Sequence, residues 1–178
     1  MANGKGGMMH DSPEYTFCPK CSGLLAYKLL KKEEPERLVC EKCSFIFFID
    51  PKVTACTIFT LRDKVVLLKR GIEPGYGKWV FPGGYVNRGE VVEEAAVRET
   101  KEEVCLDVMI NDLLNIYSYP GRPVVVIVFA AEVTGGILEA GDESLAVKTF
   151  KPEDIPWNEL AFPSTRDALQ DYINRYYT

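Results

Sequence analysis

Two cysteine pairs constrain the first third of this chain more than any other feature. Cys18-Pro19-Lys20-Cys21 is followed, after eighteen intervening residues, by Cys40-Glu41-Lys42-Cys43. Each short knuckle turns two thiolates toward one point, and two knuckles at this separation supply the four ligands of a tetrahedral zinc site. The residues around them predict strands at 24–29, 37–39 and 45–49, with a charged turn at 31–36. That pattern is a zinc ribbon. So small a segment buries too little surface to fold alone, and metal binding worth roughly 10–16 kcal/mol doubles as its folding energy. Neither pair follows a strand and opens a helix, as a redox CxxC does.

The 178 residues, 47% apolar and 26% charged, leave room for one further core of ordinary size. The expected organisation is a flexible leader at 1–14, the ribbon at 15–50 and a larger domain at 51–178. The only histidine, His10, falls in the leader, where no role is expected. No secretory signal opens the sequence, so the six cysteines are expected in a reducing, cytoplasmic compartment. A net charge of −5 disfavours nucleic acid as a partner, and acidic and basic residues are nearly balanced within the ribbon. The longest apolar run, 124–131, is far shorter than the roughly twenty residues a membrane helix needs. It reads as a buried strand.

In the larger domain the periodicity predicts strands at 53–61 and 65–69 around a turn at Arg62-Asp63, then a charged helix at 89–104. Strands at 108–117 and 124–133, a glycine turn at 134–136 and two short segments at 139–145 and 146–150 follow. A final helix is expected to be capped by Ser164, with Asp167 three positions on and Ala168, Leu169, Tyr172, Ile173 and Tyr176 on one face. Strands interleaved with two helices make an α/β or α+β domain.

The informative stretch is the first helix. At 100° per residue, Glu99, Glu102 and Glu103 share one patch that continues the inward stripe of Val92, Ala95 and Ala96. Val97, Thr100 and Val104 form an adjoining apolar line, while Glu94 and Lys101 face outward. Three carboxylates at a half-buried position repel and lose hydration unless a cation matches them. Oxygen ligands in this number suit magnesium or manganese. A solvated acidic face is the alternative.

The spacing Gly84-x5-Glu90-x7-Arg98-Glu99-Thr100-Lys101-Glu102-Glu103-Val104-Cys105-Leu106 resembles the Nudix box. Two positions depart from it. Thr100 stands where an aliphatic residue is usual, and Cys105 replaces a glycine that ends the helix in a left-handed turn, so a local adjustment is expected there. Lys78-Trp79-Val80-Phe81-Pro82-Gly83-Gly84 resembles the family's approach to the box. With the ribbon ahead and Leu160-Ala161-Phe162-Pro163-Ser164-Thr165 before the last helix, the chain is similar to zinc-ribbon Nudix hydrolases, among them ADP-ribose, FAD and NADH pyrophosphatases.

That resemblance implies an α/β/α sandwich around a mixed sheet, and hydrolysis of a nucleoside diphosphate linked to another group. Glu99, Glu102 and Glu103, with the Gly84 carbonyl, would hold Mg²⁺ against the diphosphate, and Arg98 and Glu90 would support them. Glu143, in Gly141-Asp142-Glu143-Ser144, matches the loop that carries the general base in many members; Glu102 or Glu103 is the alternative base. Arg70, at a strand end, is placed to make paired hydrogen bonds to phosphate. Tyr76, Trp79, Tyr117, Tyr119 and Phe162 are candidates for stacking on a base, or for core. NADH is disfavoured, because Tyr117-Ser118-Tyr119-Pro120-Gly121-Arg122-Pro123 does not match the motif of NADH pyrophosphatases. ADP-ribose or another ADP-sugar comes first and FAD second. A nucleoside triphosphate pyrophosphatase and a non-hydrolysing nucleotide sensor are the alternatives, and family precedent suggests a homodimer.

Overall fold

The computed structural model describes residues 15–177. The leader and His10 lie outside them. The chain divides into two compact units after Pro51.

In the first unit, β1 (Leu25–Lys28), β2 (Arg37–Cys40) and β3 (Ile46–Phe47) form an antiparallel sheet in the order β1-β2-β3. The two knuckles repeat each other bond for bond. Cys18 N–H donates to Gly23 O at 2.7 Å and Cys40 N–H to Phe45 O at 2.9 Å; Ser22 N–H returns to Cys18 O and Ser44 N–H to Cys40 O. Ser22 and Ser44, each just past the second cysteine, both take a left-handed φ of 57°. The reversal closes each turn and points the cysteines inward.

The second unit contains β4 (Lys52–Ile58), β5 (Thr60–Leu61), β6 (Lys64–Arg70), β7 (Trp79–Val80), β8 (Gly83–Tyr85), α1 (Val92–Val104), β9 (Leu106–Tyr117), β10 (Val124–Gly136), β11 (Ser144–Phe150) and α2 (Pro163–Tyr176). One sheet runs β8-β4-β10-β9 and the other β11-β6-β5, with β7 on β6. β10 lies parallel to β4 while its other neighbour, β9, is antiparallel, so the sheet is mixed. Ala95 and Ala96 of α1 pack on Ala55 and Phe129, where small side chains let the helix approach the sheet closely. Ala168, Leu169 and Tyr172 of α2 join the cluster of Ile58, Leu67, Trp79, Phe81 and Val128. No described helix is long and apolar enough to cross a membrane.

The strand expected at 53–61 is split into β4 and β5, and β9 starts two residues early; four further differences have clear physical reasons. α1 starts at Val92, not near 89, because Gly89 has a positive φ and Asn87–Glu90 closes a turn through Glu90 N–H to Asn87 O. The glycines at 135 and 136 continue β10, paired with Asp107 and Leu106. The segment before Ser144 is a loop, and only 144–150 is strand. α2 begins with Pro163 at its first turn after Phe162, and Ser164 lies inside the helix without capping it.

Candidate active site

The acids on α1 are graded in burial. Glu103 is 8% exposed, and its Oε2 accepts the Gly83 N–H at 2.8 Å. Glu99 is half-buried against Gly84, where an added Cβ would collide with its carboxylate. Glu102 is exposed. The patch is therefore less uniform than helix geometry implies: one acid is enclosed, one shielded and one in water. Val92 and Val97 are partly covered, Thr100 and Val104 are buried, and Glu94 and Lys101 face solvent as expected.

Arg98 lies among these groups. Its Nε and Nη2 fork onto the two oxygens of Glu90 at 2.7 and 3.0 Å. Nη1 reaches Glu99 Oε1 at 2.7 Å and Glu102 Oε2 at 3.1 Å, and Nη2 also donates to Tyr85 O. Such forked, charge-assisted bonds fix both partners. Arg98 and the Asn87 N–H hold the Glu90 carboxyl down at about 2. Glu90 thus commits its oxygens to the scaffold.

The neighbouring acids move the other way. Burial pushes the Glu103 carboxyl up to about 7, against the Gly83 N–H, and the charges of Glu99 and Glu143 add to it. Burial also raises Glu99; Arg98 opposes the shift, and Glu102 and Glu143 reinforce it. Glu90, Glu99, Glu102, Glu103 and Glu143 put five carboxyl groups in one region, with Arg98 the single cation that ion-pairs with any of them among the described residues. Hard oxygen donors in excess of cation suit a divalent ion. The oxygens of Glu99, Glu102 and Glu103 do not gather within 4.8 Å as the cysteines do. Arg98 bonds two of them and Gly83 the third.

The loop before β11 closes over the end of this helix. Gly141 N–H and Ser144 Oγ both donate to Glu103 O, at 2.9 and 3.1 Å, and Glu139 N–H donates to Val104 O. They satisfy carbonyls that a helix C-terminus leaves without partners. A Cβ at Gly141 would collide with the Glu102 carbonyl, so only glycine fits there. This contact brings Glu143, whose side chain is exposed, into electrostatic range of Glu99 and Glu103. Gly71 N–H fixes the loop's other side through Glu143 O.

Cys105 takes the left-handed conformation itself, at φ 58° and ψ 19°, with its N–H on Lys101 O. No rearrangement replaces the usual glycine; the side chain bears the strain. Arg70, at the end of β6, donates from Nε to Pro74 O at 2.8 Å and lies 5.3 Å from the Phe162 ring centroid. Among the described residues it has no ion pair. Its charge reaches Glu103 and Cys56. Trp79 and Tyr117 are core residues, Tyr119 donates to Asp167 at 2.6 Å, and Tyr76 is exposed. Cys56 packs as expected, its thiol pushed up to about 12 by burial and then by Glu103. Sequence reasoning missed the Gly83 N–H and the Ser144 hydroxyl. A Gly-Gly step before an acidic helix signals the first, and nothing in the sequence signals the second.

In the ribbon, Cys18, Cys21, Cys40 and Cys43 bring all four sulfurs within 4.8 Å of one another, with no disulfide. Cys18 to Cys43 is 3.8 Å and Cys21 to Cys40 is 3.5 Å. Thiolates about 2.3 Å from a tetrahedral zinc stand about 3.8 Å apart, so the residues fit the ion. Burial opposes ionisation of Cys40, but N–H donation from Cys43 and Lys42, together with hydrogen bonds from the Cys21 and Cys43 thiols, outweighs it and brings the thiol to about 6.

Comparison with known proteins places this geometry. The family model described as NUDIX domain matches residues 50–172, and the one described as Nudix N-terminal, a zinc ribbon, matches 16–48. The chain is 35% identical over 150 residues to the ADP-ribose pyrophosphatase of Methanocaldococcus jannaschii, covering 82% of this chain and 83% of that protein. It is 26% identical to the NAD-capped RNA hydrolase NudC of Vibrio atlanticus, over 91% of this chain and 60% of that one. The crystal structure of a NUDIX hydrolase from Nitrosomonas europaea superposes with a TM-score of 0.85 at 34% identity, covering 92% of this chain and 93% of that one. Box residues, mixed sheet, four-cysteine ribbon and these likenesses agree: the chain belongs to the Nudix hydrolases and to their zinc-ribbon branch.

Proposed function

We propose that the protein uses Mg²⁺ or Mn²⁺ to hydrolyse the diphosphate of a nucleoside diphosphate joined to another group, with ADP-ribose or another ADP-sugar first and FAD next. The observation that carries this reading is the excess of shielded carboxylate at the end of α1, more than Arg98 neutralises. The named activity of the M. jannaschii relative supports the substrate order. Glu99, Glu102 and Glu103, with the Gly84 carbonyl, would hold the dication. When bound, it neutralises charge at the diphosphate and acidifies the attacking water.

The remaining roles follow from where this chain's own groups stand. Arg98 and Glu90 keep the ligands oriented. Glu143 accepts the proton of the attacking water, from a loop fixed at both ends by Gly71 and Glu103. Arg70 directs its uncommitted terminal nitrogens to a phosphate oxygen. Zn²⁺ on Cys18, Cys21, Cys40 and Cys43 is structural.

The test is a mass-resolved turnover screen of ADP-ribose, ADP-glucose, FAD, NADH and nucleoside triphosphates with Mg²⁺. ADP-ribose is expected to yield AMP and ribose 5-phosphate at the highest kcat/KM. Binding without turnover across the panel, or turnover of triphosphates alone, would overturn the proposal.

A further inference from the structure

Thr100 departs from the Nudix pattern, and its hydroxyl is fully buried. Thr100 Oγ1 donates to Ala96 O at 2.8 Å, and it lies 2.6 Å from Oγ1 of Thr57 on β4, which is also fully buried. A hydroxyl has one proton. With that of Thr100 on Ala96 O, Thr57 must be the donor between them, so the chain runs from Thr57 to Thr100 to Ala96 O.

Thr57 is tied on its other side as well. Its N–H donates to Pro82 O at 3.0 Å, and the next residue, Gly83, gives its N–H to Glu103. Glu103 is three residues beyond Thr100 on α1. The bonds close a ring: Pro82-Gly83 to Thr57, to Thr100, along most of a turn of helix to Glu103, and back to Gly83. An aliphatic pair at 57 and 100 would fill the space while tolerating a small slide or rotation of the helix. A short bond between two hydroxyls tolerates neither, because its strength falls steeply with distance and angle.

We propose that the Thr57–Thr100 hydroxyl pair is a positioning device that fixes the rotation and register of α1 on β4, and through them the seating of Glu99 and Glu103 against Gly83-Gly84. It rests on the reading of those glutamates as the site.

Four variants test it: Thr57→Val, Thr100→Val, the double valine, and Thr100→Ser. Thr100→Val strands the Thr57 hydroxyl in the core, whereas Thr57→Val leaves Thr100 bonded to Ala96 O, so the first should lower the melting temperature more. The double variant leaves no orphaned hydroxyl and should recover the lost stability. Even so, its kcat should stay about tenfold down with KM little changed. Exchange of the Gly83 N–H in the Mg²⁺-free protein should be about tenfold faster. Thr100→Ser should restore both readouts. A double variant with wild-type kcat and wild-type Gly83 exchange would overturn the proposal and leave the pair as packing. If the double variant does not fold, Thr57→Val carries the same comparison. Wild-type protein without metal-dependent turnover would defeat the proposed function, while Gly83 exchange would still decide the role of the pair.

Discussion

A carboxyl group held near 7 by its surroundings links the site to stability at the scale of one residue. The Glu103 value rises from 4.5 to about 7 in the folded protein, chiefly through burial. A raised carboxyl stabilises the fold below the unfolded value and loses that contribution as pH climbs through the folded one. Without added Mg²⁺, folding stability should therefore fall between about pH 4.5 and pH 7 by up to about 3 kcal/mol from this residue. Urea midpoints at pH 5 and pH 8 measure it. Glu103→Gln should flatten the difference, and Mg²⁺ should raise the wild-type midpoint at pH 8. Cys105 gives a second expectation. A side chain in the left-handed region costs roughly 1 kcal/mol relative to glycine. Cys105→Gly should raise the denaturation midpoint accordingly, with turnover unchanged; no gain would mean that the thiol's contacts offset the strain.

At the scale of elements, the site depends on how closely β8 and α1 approach. Gly84→Ala places a methyl group where the Glu99 carboxylate sits, so the strand or the acid must move. Misplacement of about 1 Å costs on the order of 10²-fold in rate, and kcat should fall by that much while far-UV circular dichroism stays native. Wild-type kcat in that variant would remove Glu99 from the site. In the ribbon, Cys40→Ser leaves three sulfurs where a closed zinc site needs four. Elemental analysis should show one zinc per wild-type chain and its loss in the variant, with protease cleavage confined to residues N-terminal to Pro51. Retained zinc would contradict the assignment.

For the whole molecule, what could be read in advance was whatever local spacing determines. The knuckles at Cys18 and Cys40 and the helical spacing of Glu99, Glu102 and Glu103 are short-range patterns, and each places its residues without help from the rest of the fold. The unequal burial of the three acids was not legible, because it depends on Gly83 and Gly84 arriving on a different strand. Nor was the seat of Glu143, set by Gly141 and Ser144 closing on the Glu103 carbonyl. The glycines at 135 and 136 look like a turn by composition, yet pairing with Asp107 and Leu106 carries the strand through them. Long-range pairing overrode local propensity there. The most direct measurement is the initial rate of ADP-ribose cleavage as Mg²⁺ is titrated into zinc-loaded wild type and Glu103→Gln, both desalted into Mg²⁺-free buffer. Saturable, metal-dependent release of AMP is expected from the wild type, with a rate at least about 10²-fold lower in the variant. Equal rates in the two proteins, or cleavage that persists without added Mg²⁺, would contradict the proposed function.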